Sequence, residues 1–318
     1  MKNLKNGSKI IGLCLACAAF PALAAVSAEE ADALGKSLTP MGAERAGNAD
    51  GSIPEWTGGY SESTEAYEKG DRRVDPFADD KPLYTITADN MAEYEDKLSE
   101  GVKALLKKYS TFRIDVYPTR RTALAPEWYY EATRNNATSV KLSEDGLALD
   151  APNVSGGVPF PIPQNGDEVR WNAELAWRGE SMTAEQKIWT VTPDGQQVLA
   201  SHIEAHQQYA WNYAPDSDFE FIPGETPTLY YMQFVKGPAF RAGEGLVGHY
   251  PMNYEEESTR YWSYLAGQRR VRRAPTVGFD TPDFVASGAN FFDEVSAPTG
   301  DPVRFDWKLI GKKEMIVP

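Results

Sequence analysis

Cysteine is nearly absent from this chain. Of 318 residues, only Cys14 and Cys17 carry a thiol, and both lie close to the N-terminus. Processing that removes this end leaves no disulfide, thiolate metal site or cysteine nucleophile. Histidine is almost as scarce, with His202, His206 and His249 the whole supply. No Gly-x-Ser-x-Gly elbow, phosphate-binding P-loop or dinucleotide glycine fingerprint is present. Beyond the first two dozen residues, no apolar run is long enough to span a bilayer, so no membrane span is expected in the mature chain. Positive charge is short too: 46 Asp and Glu face 32 Lys and Arg, a formal charge of -14. A chain this acidic is repelled by nucleic acid and by anionic membrane surfaces, so no nucleic-acid partner is expected.

What is there begins with a targeting segment. Lys2, Lys5 and Lys9 precede the short apolar stretch Ile10 to Phe20. Ala22-Leu23-Ala24 then offers a small-x-small cleavage site, and Val26-Ser27-Ala28 offers a second. Residues 1–24 therefore read as a cleaved signal peptide and the protein as periplasmic. Removing the three lysines takes the formal charge from -14 to -17. Leu15-Ala16-Cys17 is a weak match to an acylation site, because Cys14 stands where an aliphatic residue is usual.

The remaining candidates for chemistry are thin. His202, Glu204 and His206 share one face of a strand and match a two-His-one-carboxylate metal set. Residues two apart on one strand rarely converge on one ion, so a polar solvent face is expected. Asn48, Asp50 and Gly51 suggest a calcium loop, but no terminal Glu follows at the required spacing. Paired carboxylates occur everywhere in so acidic a chain and select nothing. The expectation is no catalytic residue, no metal and no cofactor.

Along the chain, Glu29 to Leu38 reads as a short helix, and Tyr60 to Pro82 as a polar extended arm. Thr87 reads as the N-cap of a helix from Ala88 to Tyr109. Its stripe is Met91, Tyr94, Leu98, Val102, Leu105, Leu106 and Tyr109. Phe112, Ile114 and Val116 alternate as a strand. Gly156 to Pro163 is a stiff proline-rich connector, and Asp167 to Arg178 a second helix with Trp171 and Leu175 on one face. From Thr183 onward strands dominate. Lys187 to Thr192 meets Val198 to Glu204 across Pro193-Asp194-Gly195. Thr228 to Lys236 sets Tyr230, Met232 and Phe234 against Tyr231, Gln233 and Val235. Val303, Phe305, Trp307 and Leu309 alternate with polar residues as a last strand. That strand still reads as running at Pro318, which implies a longer natural sequence.

Two features stand out against this background. Aromatic residues crowd the strands, among them Trp189, Trp211, Tyr230, Phe234, Trp262 and Tyr264. They fill either a thick core or the concave side of a curved sheet that holds an apolar ligand. The candidate ligand-binding residues are Trp189, Trp211, Tyr230, Met232 and Phe234. The second feature is Tyr261 to Pro275, which reads as two short strands around Ala266-Gly267. It carries Arg269, Arg270, Arg272 and Arg273, interrupted only by Val271. Either these arginines pair across strands with the protein's own Asp and Glu, the commoner arrangement, or they dock an acidic partner or a lipid phosphate.

Separated motifs add a family likeness. They include Leu38-Thr39-Pro40, Gly42-Ala43-Glu44, Ile53-Pro54-Glu55-Trp56-Thr57-Gly58-Gly59 and Tyr117-Pro118-Thr119-Arg120-Arg121-Thr122. Further on come Pro159-Phe160-Pro161-Ile162-Pro163, Gly267 to Pro275 and Asp306-Trp307-Lys308-Leu309-Ile310-Gly311-Lys312-Lys313-Glu314. In this order the sequence resembles a periplasmic family of unknown function grouped with outer-membrane lipoprotein-sorting (LolA/LolB-like) proteins. Trp262 to Arg273, Asp283-Phe284 and Asp293-Glu294 resemble the sheet core of those sorting proteins more loosely.

The resemblance implies an α+β fold, mainly antiparallel β. Its sheet would be a strongly curved, half-open LolA-like β-barrel with helices on the concave side and an extended N-terminal arm. Together with the change to β character after Ser110, it divides the mature chain into 25–110, the arm and helix, and 111–318, the curved sheet. It implies a hydrophobic or lipid-like ligand, an RND-type transporter as partner and an association with the outer membrane. It carries over no catalytic residue. The expectation is a non-enzymatic periplasmic carrier or accessory protein. The alternatives are an envelope scaffold without a ligand, or an enzyme acting on envelope lipid or glycan.

Overall fold

Pro193-Asp194-Gly195 turns the chain as its residues require. Gly195 takes φ +85° and donates its N–H to the Thr192 carbonyl at 2.8 Å. Glycine reaches that region without steric penalty. The turn joins β5 (Ser181–Val191) to β6 (Gln197–Gln208), the two longest strands. β7 (Leu229–Gly237), β8 (Gly245–Tyr250), β9 (Arg260–Leu265) and β10 (Arg270–Ala274) follow. All six pair antiparallel in the order β10-β9-β8-β7-β6-β5. The fold is therefore α+β around one large antiparallel sheet. Its edge strands, β10 and β5, do not pair with each other, so hydrogen bonding does not close the sheet into a barrel.

The computed structural model describes residues 26–61, 74–151, 155–274, 280–295 and 301–317. The expected signal peptide, with Cys14 and Cys17, lies outside the described residues. No helix among the described residues is long and apolar enough to cross a membrane.

The two sheet faces differ. Ile203, Ala205, Gln233, Val235, Leu246 and Tyr261 on one face are buried. The segment 280–295 lies over this face. The Ser201 hydroxyl donates to the Val285 carbonyl at 2.6 Å, Arg241 donates to the Phe284 carbonyl at 2.9 Å, and Phe292 meets Tyr261 edge-on. Gly248 makes room here for the Tyr261 ring, since a Cβ would stand 2.9 Å from its Cε1. The other face is open.

Helices assemble beside the sheet. The expected helix 88–109 is two pieces, a 3-10 helix Met91–Lys97 and α2 (Glu100–Lys108). Ser99 breaks it: its hydroxyl accepts from the Val102 N–H at 3.2 Å, starting a new helix. Thr87 caps no α-helix, and its own N–H donates to Asn90 Oδ1 at 2.8 Å. Leu98, Val102 and Leu106 are buried as the stripe predicts, with Ile86 and Ile114. Ile86 belongs to β1 (Tyr84–Ile86), which pairs with β2 (Ile114–Val116). Leu105 and Tyr109 face out.

The expected helix 29–38 shrinks to α1 (Ala28–Ala31), because Gly35 turns the chain at φ +78°. The longest helix, α3 (Glu127–Ser139), carries no clean apolar stripe. Its buried polar residues dock the proline-rich connector instead. Thr133 Oγ1 accepts from the Val158 N–H at 2.9 Å, and Asn136 donates to the Gly156 carbonyl at 3.0 Å. α4 (Gly166–Glu174) places Trp171 in the main core with Phe160, Leu175, Trp211, Met252 and Tyr254. The minor pair β3 (Lys141–Leu142) and β4 (Leu149–Asp150) borders that core.

The alternating stretch after Val303 is not a strand. Pro302 opens a short 3-10 helix, Pro302–Arg304, and irregular chain continues to residue 317. Its backbone at Trp307 packs against the start of α4, where a Cβ on Gly166 would stand 2.3 Å from it. It then reaches the α2 cluster, with Ile316 donating to the Lys97 carbonyl at 2.8 Å. Of its alternating apolar side chains only Trp307 is partly buried, while Val303, Phe305 and Leu309 stay exposed.

Candidate ligand-binding face

Register defines the open face, because directly opposed residues of an antiparallel pair share a side. One row crosses it as Glu185, Glu204, Phe234, Gly245, Tyr264 and Val271. The next row is Thr183, His206, Met232, Val247, Trp262 and Arg273. A third is Ser181, Gln208, Tyr230, His249 and Arg260.

These rows make a shallow trough along β8. Gly245 and Val247 form its floor, with Phe234, Met232 and Tyr230 on one side and Tyr264 and Trp262 on the other. The flanking strands stand about 10 Å apart, two strand spacings. Gly245 leaves the floor low: a Cβ there would lie 3.9 Å from both Phe234 and Tyr264. The far end is stopped by rings, for His249 lies 4.9 Å from both Tyr230 and Trp262, edge-on to each. Burial pulls the His249 pKa down, and Arg260 adds to that.

Of the expected ligand residues, the structure brings Tyr230, Met232 and Phe234 onto this face. Met232 is 37 % exposed and Phe234 47 %. Trp189, 52 % exposed, stands apart on edge strand β5, beyond an irregularity between Ile188 and Trp189. Trp211 is not on the face at all. It is 1 % exposed and donates its indole N–H to the Gly157 carbonyl at 2.9 Å. Trp262, Tyr264 and Val247 complete the trough. Their placement needs the β8–β9 register, which periodicity within one strand does not reveal.

The charged side chains of the open face are mostly spent. His206 Nε2 meets Glu204 Oε1 at 2.9 Å, and Lys236 holds the other Glu204 oxygen at 2.5 Å. His202 pairs with Glu185 across the strands. These bonds hold the Glu185 and Glu204 carboxyls below the usual carboxylate range. Among the described residues, no group of three His, Cys, Asp or Glu side chains could hold a metal ion. Asp50, of the calcium-like loop, is occupied by Ser52 and by Lys97, 3.0 Å away.

The arginine cluster departs from the pairing favoured on sequence grounds. Arg270, Arg272 and Arg273 lie opposite Leu265, Ser263 and Trp262, none of them acidic. Arg269 closes the turn at φ 50°. All four are exposed, and no side chain of the four makes an ion pair or hydrogen bond among the described residues. The pairing fails because β10 is an edge strand with one neighbour, and that neighbour is aromatic.

Elsewhere, titratable groups are buried without an opening. Glu174 accepts from Arg170 and from the Tyr254 hydroxyl, each at 2.7 Å. The Tyr261 hydroxyl donates to that of Tyr250 at 2.8 Å, and burial pushes Tyr250 up to about 12. A polar cleft of about 180 Å³ lies between Glu225, Thr226, Asn253, Glu256 and Glu257. Several motif residues prove architectural. Arg121 donates to the carbonyls of Glu44, Arg45 and Pro54, tying down the N-terminal arm. Gly42 sits so close to Pro161 that a Cβ would overlap its carbonyl oxygen at 2.0 Å.

No solved structure matches the chain. The uncharacterized protein PA3922 of Pseudomonas aeruginosa is 42 % identical to it over 308 residues. The alignment covers 96 % of this chain and 66 % of that protein, so the chain spans just under two thirds of its relative's length. Residues 85–318 match the family described as protein of unknown function, DUF1329. With most of its length inside that match, the chain belongs to the DUF1329 family.

Proposed function

We propose that this protein is a non-enzymatic periplasmic carrier or accessory protein, which holds a hydrophobic, lipid-like ligand on the open face of its sheet. The observation that carries this reading is the apolar trough, in which Phe234, Met232 and Tyr264 are exposed beside half-buried Val247 and Trp262. An antiparallel sheet with one covered face ordinarily turns polar residues to water on the other. Exposed apolar surface gathered in one place marks a binding surface. Burying an alkyl chain there gains about 0.8 kcal/mol per methylene, before the cost of association.

Three further points support the reading. The Lys-rich start and Ala22-Leu23-Ala24 favour export. The buried Glu174 is held by Arg170 and Tyr254 rather than poised for catalysis. The likeness to lipoprotein-sorting proteins favours an RND-type exporter as partner, a place near the outer membrane and a sheet bent into a half-open barrel.

Fluorescent fatty-acid binding tests the reading. Met232→Asp places a charge on the trough wall at a solvent-exposed position, so the fold should survive. Binding should be lost with the melting temperature little changed. Undiminished binding by the variant would remove the trough as the site.

A further inference from the structure

We infer that the ligand carries an anionic head group, a phosphate or carboxylate, and that the arginine-bearing turn and edge strand β10 receive it. This rests on the carrier reading and adds the class of ligand.

The first argument is charge. A chain of formal charge -14 has acids to spare for its arginines. It uses them elsewhere on the sheet: Lys236 pairs with Glu204, Arg241 with Glu244 and Arg260 with Glu257. Arg269, Arg270, Arg272 and Arg273 have no such partner among the described residues. Like charges crowded on one strand repel, and a bound anion offsets that cost. Protection of a sheet edge against aggregation explains a charge or two, but in an acidic chain either sign would serve. Arg270 and Arg272 lie opposite Leu265 and Ser263 and so face away from the trough, which leaves Arg269 in the turn and Arg273 on the trough's side as cations that call for an anion.

The second argument is position. Val271 and Arg273 lie opposite Tyr264 and Trp262, so β10 forms the outer rim of the trough's aromatic wall. Val271, 62 % exposed, extends the apolar surface to that rim. The trough is stopped at the His249 end, which leaves the Gly245 end for a head group. The β9–β10 turn, with Arg269, lies at the Gly245 end, as the pairing of Gly245 with Tyr264 requires. An alkyl chain along β8 thus leaves its head group on the arginine side. A guanidinium is planar and donates in parallel to two oxygens of a phosphate or carboxylate, which suits it to such a head.

The test titrates the full chain with three probes, the amphiphiles kept below their micelle-forming concentrations. They are dodecyl phosphate, zwitterionic dodecylphosphocholine and inorganic phosphate, followed by tryptophan emission and by calorimetry. Dodecyl phosphate should bind about tenfold more tightly than dodecylphosphocholine at low salt, as one charge-assisted contact would give. Added salt should narrow that ratio. In Arg269→Gln/Arg273→Gln the ratio should fall to about one, with dodecylphosphocholine binding retained. Equal affinity for the two heads in the native protein overturns the inference, and so does an unchanged ratio in the variant. Inorganic phosphate binding as tightly as dodecyl phosphate overturns it too, as an anion site independent of the trough. If neither amphiphile binds the native protein, the carrier reading fails with it. Binding of both amphiphiles without preference removes the anionic head alone. The salt dependence of the native protein decides the matter even if the variant folds poorly.

Discussion

Glu174 shows how this chain handles a charge that it buries. Burial pushes its carboxyl above the ordinary range, while Arg170 and the Tyr254 hydroxyl pull the other way. Arg170 lies over the Trp171 ring, 4.2 Å from its centroid, and donates its other terminal nitrogen to the Gly146 carbonyl. Removing one partner strands the other. Glu174→Ala should cost about 3–5 kcal/mol in urea unfolding, whereas Glu174→Leu combined with Arg170→Met should cost less. Equal losses would show that the pair is not coupled. His249 gives the pH dependence. Its native pKa lies below the ordinary 6.5, so between the two values the unfolded chain binds more protons than the native one. Its contribution is therefore complete above pH about 6.5 and is lost as the pH falls towards the native value. Arg260, Glu257 and the Tyr230 and Trp262 rings surround it. The decline in melting temperature from pH about 7.5 to about 5.5 should be shallower in His249→Phe; an equal decline would rule out this residue as its source. The facing of Tyr230, Met232 and Phe234 was legible from alternation alone. That Arg270 and Arg272 find no acid was not, since it depends on which strand lies beside them.

At the scale of elements, local chemistry reads well where it is self-contained. The turn at Pro193-Asp194-Gly195 and the alternation of β7 depend on neighbours in sequence, and both formed as expected. Longer elements yielded to competing local bonds or to packing. Ser99 offers a better cap in mid-stripe than continuation of the helix does. α3 escaped notice because the surface it buries includes Thr133 and Asn136, which bond the Gly156–Val158 backbone rather than pack as hydrocarbon. The segment from Val303 has strand alternation but finds no sheet edge: its backbone runs past the start of α4 to Lys97 with Val303, Phe305 and Leu309 exposed. β10 itself carries a prediction. Because Arg270 and Arg272 make no ion pair among the described residues, changing both to Gln should alter stability by no more than about 0.5 kcal/mol. A clear drop in melting temperature would mean that they pair within the protein after all.

For the whole molecule, the relevant fact is asymmetry. One face of the six-stranded sheet is sealed by residues 280–295, Arg241 and the Tyr250–Tyr261 pair. The other carries an apolar trough with cations on its rim, in a chain otherwise strongly acidic. A fold that needed only stability would gain nothing from leaving Phe234, Met232 and Tyr264 (38 % exposed) in water. The most direct measurement is native mass spectrometry of protein gently purified from cells, native and Met232→Asp side by side. The account predicts a co-purifying lipid-sized adduct on the native protein and its absence from the variant. An adduct equally present on both, or absent from the native protein, would contradict it.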